Sequence, residues 1–185
     1  MRSLFSTVVL GVCILLAVPE GWCKANHQLK HGVADAFKIF RDFDYGVGIL
    51  DIDQDGKLDC VTARRTEFDK NGPSATYVWI LPGPNGKEKK NVTLHIRAGS
   101  APNKPVFTVG DGGAPEQTAN FIYTDYKTCS VFELPFDGVQ ECMLWTSKES
   151  KDDVPQHCVE QFEDNCDLKN AAYDKDTCSQ FEDDS

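Results

Sequence analysis

The chain is predicted to be all-β, a run of short antiparallel strands with one short helix before it and another after. Three observations predict this. From Tyr45 to Thr146 the chain reads as short segments rich in Val, Ile, Thr and aromatic residues: "YGVGIL", "LDCVTARR", "ATYVWIL", "VTLHI", "KPVFTV", "ANFIYTDY", "CSVFELPF" and "QECMLWT". Turn-forming pairs such as Asp55-Gly56, Asn71-Gly72 and Asp137-Gly138 separate them, as they separate strands. No helical period intervenes, so the strands form an antiparallel meander, closed as a barrel or stacked as a sandwich.

The elements follow in order. Met1-Arg2-Ser3 is a basic opening, Leu4 to Val18 an uncharged apolar run, and Pro19-Glu20-Gly21 a polar end. This is the pattern of a secretory signal, expected to span 1–23, with a single domain over 24–185; cleavage fits after Cys23 or after Ala25. The apolar run is shorter than the roughly 20 residues of a membrane span, and no second one follows. Either cleavage leaves Cys60, Cys129, Cys142, Cys158, Cys166 and Cys178 of the 8 cysteines. An even number in an oxidising compartment reads as a disulfide framework rather than a metal site.

Asp35 to Phe43 is a short amphipathic helix in which Phe37, Phe40 and Ala36 share a face. After the strands, Val154-Pro155 opens a second helix, with Cys158, Val159, Phe162 and Cys166 at helical spacing and Pro155 suited to a first turn. Cys158 and Cys166 lie about 12 Å apart along such a helix, beyond the roughly 7 Å that a disulfide spans. They are therefore expected to staple the helix to the sheet, while Cys178 needs a partner elsewhere. The other pairings stay open at this point.

The formal net charge of -10 argues against nucleic acid as a partner. Asn91-Val92-Thr93 is a glycosylation sequon, expected on an exposed turn. The acidic end, Glu182 to Ser185, reads as a solvated tail.

The stretch "YTDYKTCSVFELPFDGVQECMLWTSKESKDDVPQHCVEQFEDNC" resembles the tick salivary lipocalins, the histamine-binding-protein family, and the upstream "DAFK" helix and a cysteine in an early strand, Cys60, are similar too. The resemblance implies an eight-stranded antiparallel lipocalin barrel with a short N-terminal helix and a C-terminal helix packed on its side. It implies the disulfides Cys60–Cys178, Cys129–Cys158 and Cys142–Cys166. It also implies a secreted, monomeric binder that sequesters a small host mediator, a biogenic amine or a lipid, without catalysis or cofactor. A surface that captures a host protein is the alternative.

In amine-binding members, carboxylates inside the barrel meet the ligand's ammonium and aromatic rings close on its ring. Carried over, the resemblance places Tyr77, Phe107, Met143 and Trp145 in the ligand pocket. The family's acids fall on Met143, Ser130 and Asn120, so the pocket is expected to be apolar and to take histamine weakly. Should an anion be needed, Asp42 and Asp44 beside the first helix are the nearest candidates. Tyr123, Tyr126 and Trp79 depend on a register that the sequence does not set.

Enzyme chemistry is not expected. His27, His31, His95 and His157 form no zinc or triad arrangement. The acidic stretch "LDIDQDGKLDC" places Asp51, Asp53, Asp55 and Asp59 around Gly56 as a calcium loop would. Position twelve is Thr62 where an EF-hand has its bidentate Glu, and the motif occurs once, with no internal repeat. The reading favoured is a two-residue hairpin turn at Asp55-Gly56 with no dedicated metal site, adventitious millimolar calcium affinity being the alternative.

Overall fold

Asp35 starts the first helix as its N-cap, its carboxylate accepting from the backbone N–H of Phe37 (3.0 Å) and Lys38 (3.2 Å). In the computed structural model, which describes residues 32–181 except 84, 85, 87, 88, 112 and 168, this helix is α1 (Ala36–Asp42). The signal-segment reading, His27, His31 and the acidic tail lie outside the described residues. The buried face of α1 is Ala36, Ile39 and Phe40, so Ile39 joins the expected face and Phe37 moves to its edge.

The strands are β1 (Tyr45–Asp51), β2 (Thr62–Asp69), β3 (Ser74–Leu81), β4 (Lys90–Ala101), β5 (Lys104–Val109), β6 (Gln117–Thr118), β7 (Asn120–Thr124), β8 (Cys129–Phe136) and β9 (Val139–Thr146). Helix α2 (Gln156–Asn165), the short β10 (Asn170–Ala171) and α3 (Lys175–Cys178) follow. All pairings are antiparallel, in the order β6-β5-β4-β3-β2-β1-β9-β8-β7, with β10 added to β1.

The main sheet path holds nine strands, where eight were expected. The difference is local: β6 pairs with β5, β7 pairs with β8, and the single residue Ala119 separates them. Across that break Ala119 N–H donates to Pro105 O (3.0 Å) and Phe121 N–H to Asn103 O (2.8 Å), continuing the β5 ladder and closing the barrel. One bent stave thus scores as two strands. Next to β7, strands β8 and β9 join through Asp137 and Gly138, both at positive φ (52° and 84°), the conformation of a tight two-residue hairpin.

Three sequence expectations are corrected here. The stretch after β1 is not a two-residue hairpin, because the β1–β2 pairing runs only from Tyr45↔Arg64 to Val47↔Thr62 and the chain from Ile52 to Val61 forms a longer loop. Consequently Cys60 sits in that loop at φ 58°, ahead of β2 rather than in a strand. The sequon residue Asn91 is exposed, but it lies within β4, paired with Ile80, instead of on a turn.

The three disulfides are Cys60–Cys178, Cys129–Cys158 and Cys142–Cys166, the set the resemblance implied. The last two fasten α2 to β8 and β9. Side-chain alternation divides the apolar residues into two bodies. One fills the barrel and includes Phe40, Tyr77, Trp79, Phe132 and Trp145. The other lies between the outer wall and α2, and includes Val47, Val131, Leu144, Phe162 and the two stapling disulfides.

Candidate functional site

Inside the barrel, beneath α1, is a cavity of about 90 Å³. A water needs only about 10–15 Å³ on this scale, so there is room for a small organic group. Helix α1 forms the roof through Ile39, Phe40 and the following Phe43. The roof is tied down at both ends. Asp35 N–H donates to Tyr126 Oη (2.8 Å) and Ala36 N–H to Pro102 O (3.0 Å). At the other end the Tyr77 hydroxyl donates to Phe43 O, and the Arg65 guanidinium donates to Phe40 O and to Arg41 O (3.0 Å).

The wall is a sequence of aromatic rings. Phe40 meets Phe121 edge-on at 5.4 Å, Phe121 meets Phe132 at 4.9 Å, and Phe132 lies 6.1 Å from Trp145. Trp145 then packs on Trp79 at 5.0 Å, and behind the cavity wall Trp79 stacks on Phe136 at 5.5 Å. Ring pairs at these separations attract beyond their area burial. Trp145 can lie flat against β1 only because "YGVGIL" supplies glycine there. A Cβ on Gly46 would stand 2.9 Å from the Trp145 ring.

Of the residues expected in the pocket, Tyr77, Phe107 and Trp145 line the cavity. Met143 is fully buried one step behind it, its Sδ accepting from Trp145 Nε1 (3.4 Å), so it holds the indole rather than facing the space. Trp79, which the sequence left ambiguous, lines the cavity, whereas Tyr123 faces outward against the α2 body and Tyr126 anchors the roof. Phe121 and Phe132 were missed. Each sits mid-strand in an apolar run, and that signal indicates burial without indicating which side.

Among the described residues, none that lines the cavity carries a charge. Ser130 is on the wall, while Asn120 is outside it, bonded to Asn103 (3.1 Å) and Glu133 (3.1 Å). Asp42 is paired with Arg41 (2.7 Å), and neither Asp42 nor Asp44 reaches the cavity. Burial drives the Tyr77 phenol well above its ordinary value, so it stays protonated and keeps donating to the roof.

A second polar constellation lies outside the barrel. Asp125, Cys129, His157 and Cys158 place ligand atoms within 4.8 Å of one another. The two sulfurs are already joined, which removes half of any metal site. Asp125 instead organises the turn before β8. Burial would raise its carboxyl, but the N–H of Cys129, the hydroxyl and N–H of Thr128 and the N–H of Lys127 together bring it down to about 2.

A closed antiparallel barrel with an apolar cavity under a helical roof is the architecture of the lipocalins. The chain belongs to the tick histamine binding protein family, whose model matches residues 51–180. No curated protein matches it. Among solved structures it is similar to the AM182 serotonin complex, with TM-score 0.59 and 16% identity over 80% of this chain and 94% of that one. It is also similar to the tryptamine complex of the amine binding protein of Rhodnius prolixus, with TM-score 0.50 and 14% identity over 78% of this chain and 89% of that one. At these identities the likeness is one of fold.

Proposed function

We propose that this protein is a secreted sequestering protein whose ligand enters the barrel ring first, an aryl or indole group held under α1, and that it acts by removing a small host mediator. The observation that carries this reading is the charge-free aromatic wall around a cavity of about 90 Å³. An ammonium buried there without a carboxylate would lose several kcal/mol of hydration with nothing to replace it. A ligand that is an indolylamine therefore keeps its ammonium toward the mouth, on the side where Asp42 ends α1 and Asp44 follows it. Histamine, whose small polar ring offers little to an apolar wall, fits worst. A long-chain lipid exceeds the space available, which is well below the roughly 300–1,000 Å³ of drug-sized pockets, and enters only if the roof lifts. Three disulfides fit the oxidising compartment that secretion implies.

Calorimetric titration with indole, tryptamine, histamine and arachidonate tests the reading. Indole and tryptamine should bind within about tenfold of each other, and histamine at least about tenfold more weakly than either. Histamine tighter than indole, or no binding by any ring compound, would overturn it.

A further inference from the structure

The loop between β1 and β2 lies at the end of the barrel remote from α1, and its acids have an unexplained buried component. Asp51 is 2% exposed, and its Oδ2 has no hydrogen-bond partner. Glu141, from β9, is 6% exposed, and its Oε2 has none either. An unpartnered buried carboxylate oxygen is costly, and the large majority of buried polar atoms in folded proteins are satisfied.

The β1–β9 pairing brings Glu141 close enough for its charge to act on Asp51. Asp51 Oδ1 accepts from Asp53 N–H (3.1 Å), which lays its carboxylate over the start of the loop. Glu141 borders the same cleft as Asp53 and Asp55. Asp59 belongs to the same field: burial first, then Asp53, Glu141 and Asp59, push the Asp51 carboxyl up to about 7. Burial likewise raises Glu141 and Asp59, each with Asp53 and Asp55 adding to it. Among the described residues lining the cleft the one cation is Lys57, whose ammonium bridges Asp55 (2.9 Å) and Asp137 (3.2 Å); it eases Glu141 only at a distance and pairs with neither Glu141 nor Asp51.

We propose that Asp51, Asp53, Asp55, Asp59 and Glu141 form a divalent-cation site for which calcium is the fitting ion. The donors are carboxylate oxygens, the hard ligands that calcium prefers. The spacing Asp51, Asp53, Asp55, Gly56, Asp59 supplies loop positions one, three, five, six and nine, with Gly56 at φ 74° making the sharp turn and the Lys57 carbonyl available at position seven. Thr62 stands at position twelve, where the loop itself offers no acid. Glu141 supplies that carboxylate from the neighbouring strand, a residue 79 positions away in sequence (141 − 62). Among the described residues the acidic set does not place three ligand atoms within 4.8 Å of one another, so cation binding would have to draw the loop in toward Glu141.

The test uses the whole secreted chain, dialysed against chelator and titrated with calcium or magnesium by calorimetry, with thermal unfolding in parallel. Calcium should bind at one site with half-saturation at or below about 0.1–1 mM, the range of extracellular calcium modules, and more tightly than magnesium. It should raise the melting temperature by several degrees. Asp51→Asn and Glu141→Gln should each weaken calcium binding at least about tenfold, about 1.4 kcal/mol. Their melting should also invert against the wild type, higher in chelator, where a buried charge has been removed, and lower in saturating calcium. Asp59→Asn, at an exposed position, gives the same loss of affinity with little change of stability in chelator. The proposal is overturned by an absence of saturable heat up to about ten times that concentration range, by wild-type affinity in Glu141→Gln, or by variants that melt above wild type with and without calcium.

Discussion

Strand β9 separates two interiors of different construction. Facing into the barrel, Met143 and Trp145 join a set of large rings that leave a cavity between them. Facing outward, Cys142 and Leu144 join Val47, Val131, Phe162 and two disulfides in a body clamped against α2. The rings span a gap that aliphatic side chains would collapse, because a planar side chain braced by its neighbours holds an open wall. The outer seam fixes α2 by covalent bonds and needs no rigidity from the side chains. One body is built to receive a ligand and the other to hold the wall still.

Breaking the seam should therefore cost stability and spare binding. Phe162 is fully buried beneath α2, and Phe162→Ala should cost about 3–5 kcal/mol in chemical denaturation. Phe132→Ala, on the cavity wall, should fall at the lower end of that range, because part of its surface already borders empty space. The two should reverse in calorimetry, with Phe132→Ala losing ligand affinity and Phe162→Ala keeping it in the fraction still folded. Equal stability losses would show that the two interiors are packed alike.

Opening the Cys129–Cys158 staple by replacing both residues with Ser should cost about 3–4 kcal/mol, the chain-entropy value for a separation of 29 residues. Ligand affinity measured well below the new melting temperature should be unchanged. A loss of affinity would mean that the seam shapes the cavity as well as supporting it.

A smaller effect separates the two bodies by pH. Asp125 has a folded-state carboxyl lowered from 3.8 to about 2. A depressed carboxylate contributes stability that is present above its unfolded value and lost as pH falls through the folded one. The window is therefore from about pH 4 down to pH 2, and the contribution is on the order of 2 kcal/mol. Asp125→Asn should be less stable than wild type at neutral pH and should lack that part of the acid dependence. Curves that stay parallel from pH 6 to pH 2 would remove Asp125 from the account.

The smallest effect concerns the roof. Tyr77→Phe removes the hydroxyl bond to Phe43 O and should cost about 0.5–1.5 kcal/mol. Its clearer signature is kinetic: ligand association and dissociation should both quicken in stopped-flow fluorescence, with affinity changed less than either rate. Unchanged rates would mean that ligand does not enter past α1.

The sequence by itself determined the strand-rich middle and the helices α1 and α2, though not the short α3, because propensity, period and turn residues act over a few neighbouring positions. Phe37, Ile39 and Phe40 show how far that reaches: the period marked the buried face of α1, but the exact edge depended on what the helix covers. The disulfide set was legible only through likeness to a family, since local spacing excluded one pairing and no more. The sides of the strands were a tertiary matter. Trp79 and Tyr123 read alike in sequence, yet one lines the cavity and the other faces α2, because a shift of one residue in register exchanges the faces of a strand. The acidic loop marks the same boundary most sharply. Its spacing was visible from Asp51 to Asp59, but Glu141 is brought beside it only by the pairing of β1 with β9, and no local pattern encodes a contact between residues 90 positions apart (141 − 51).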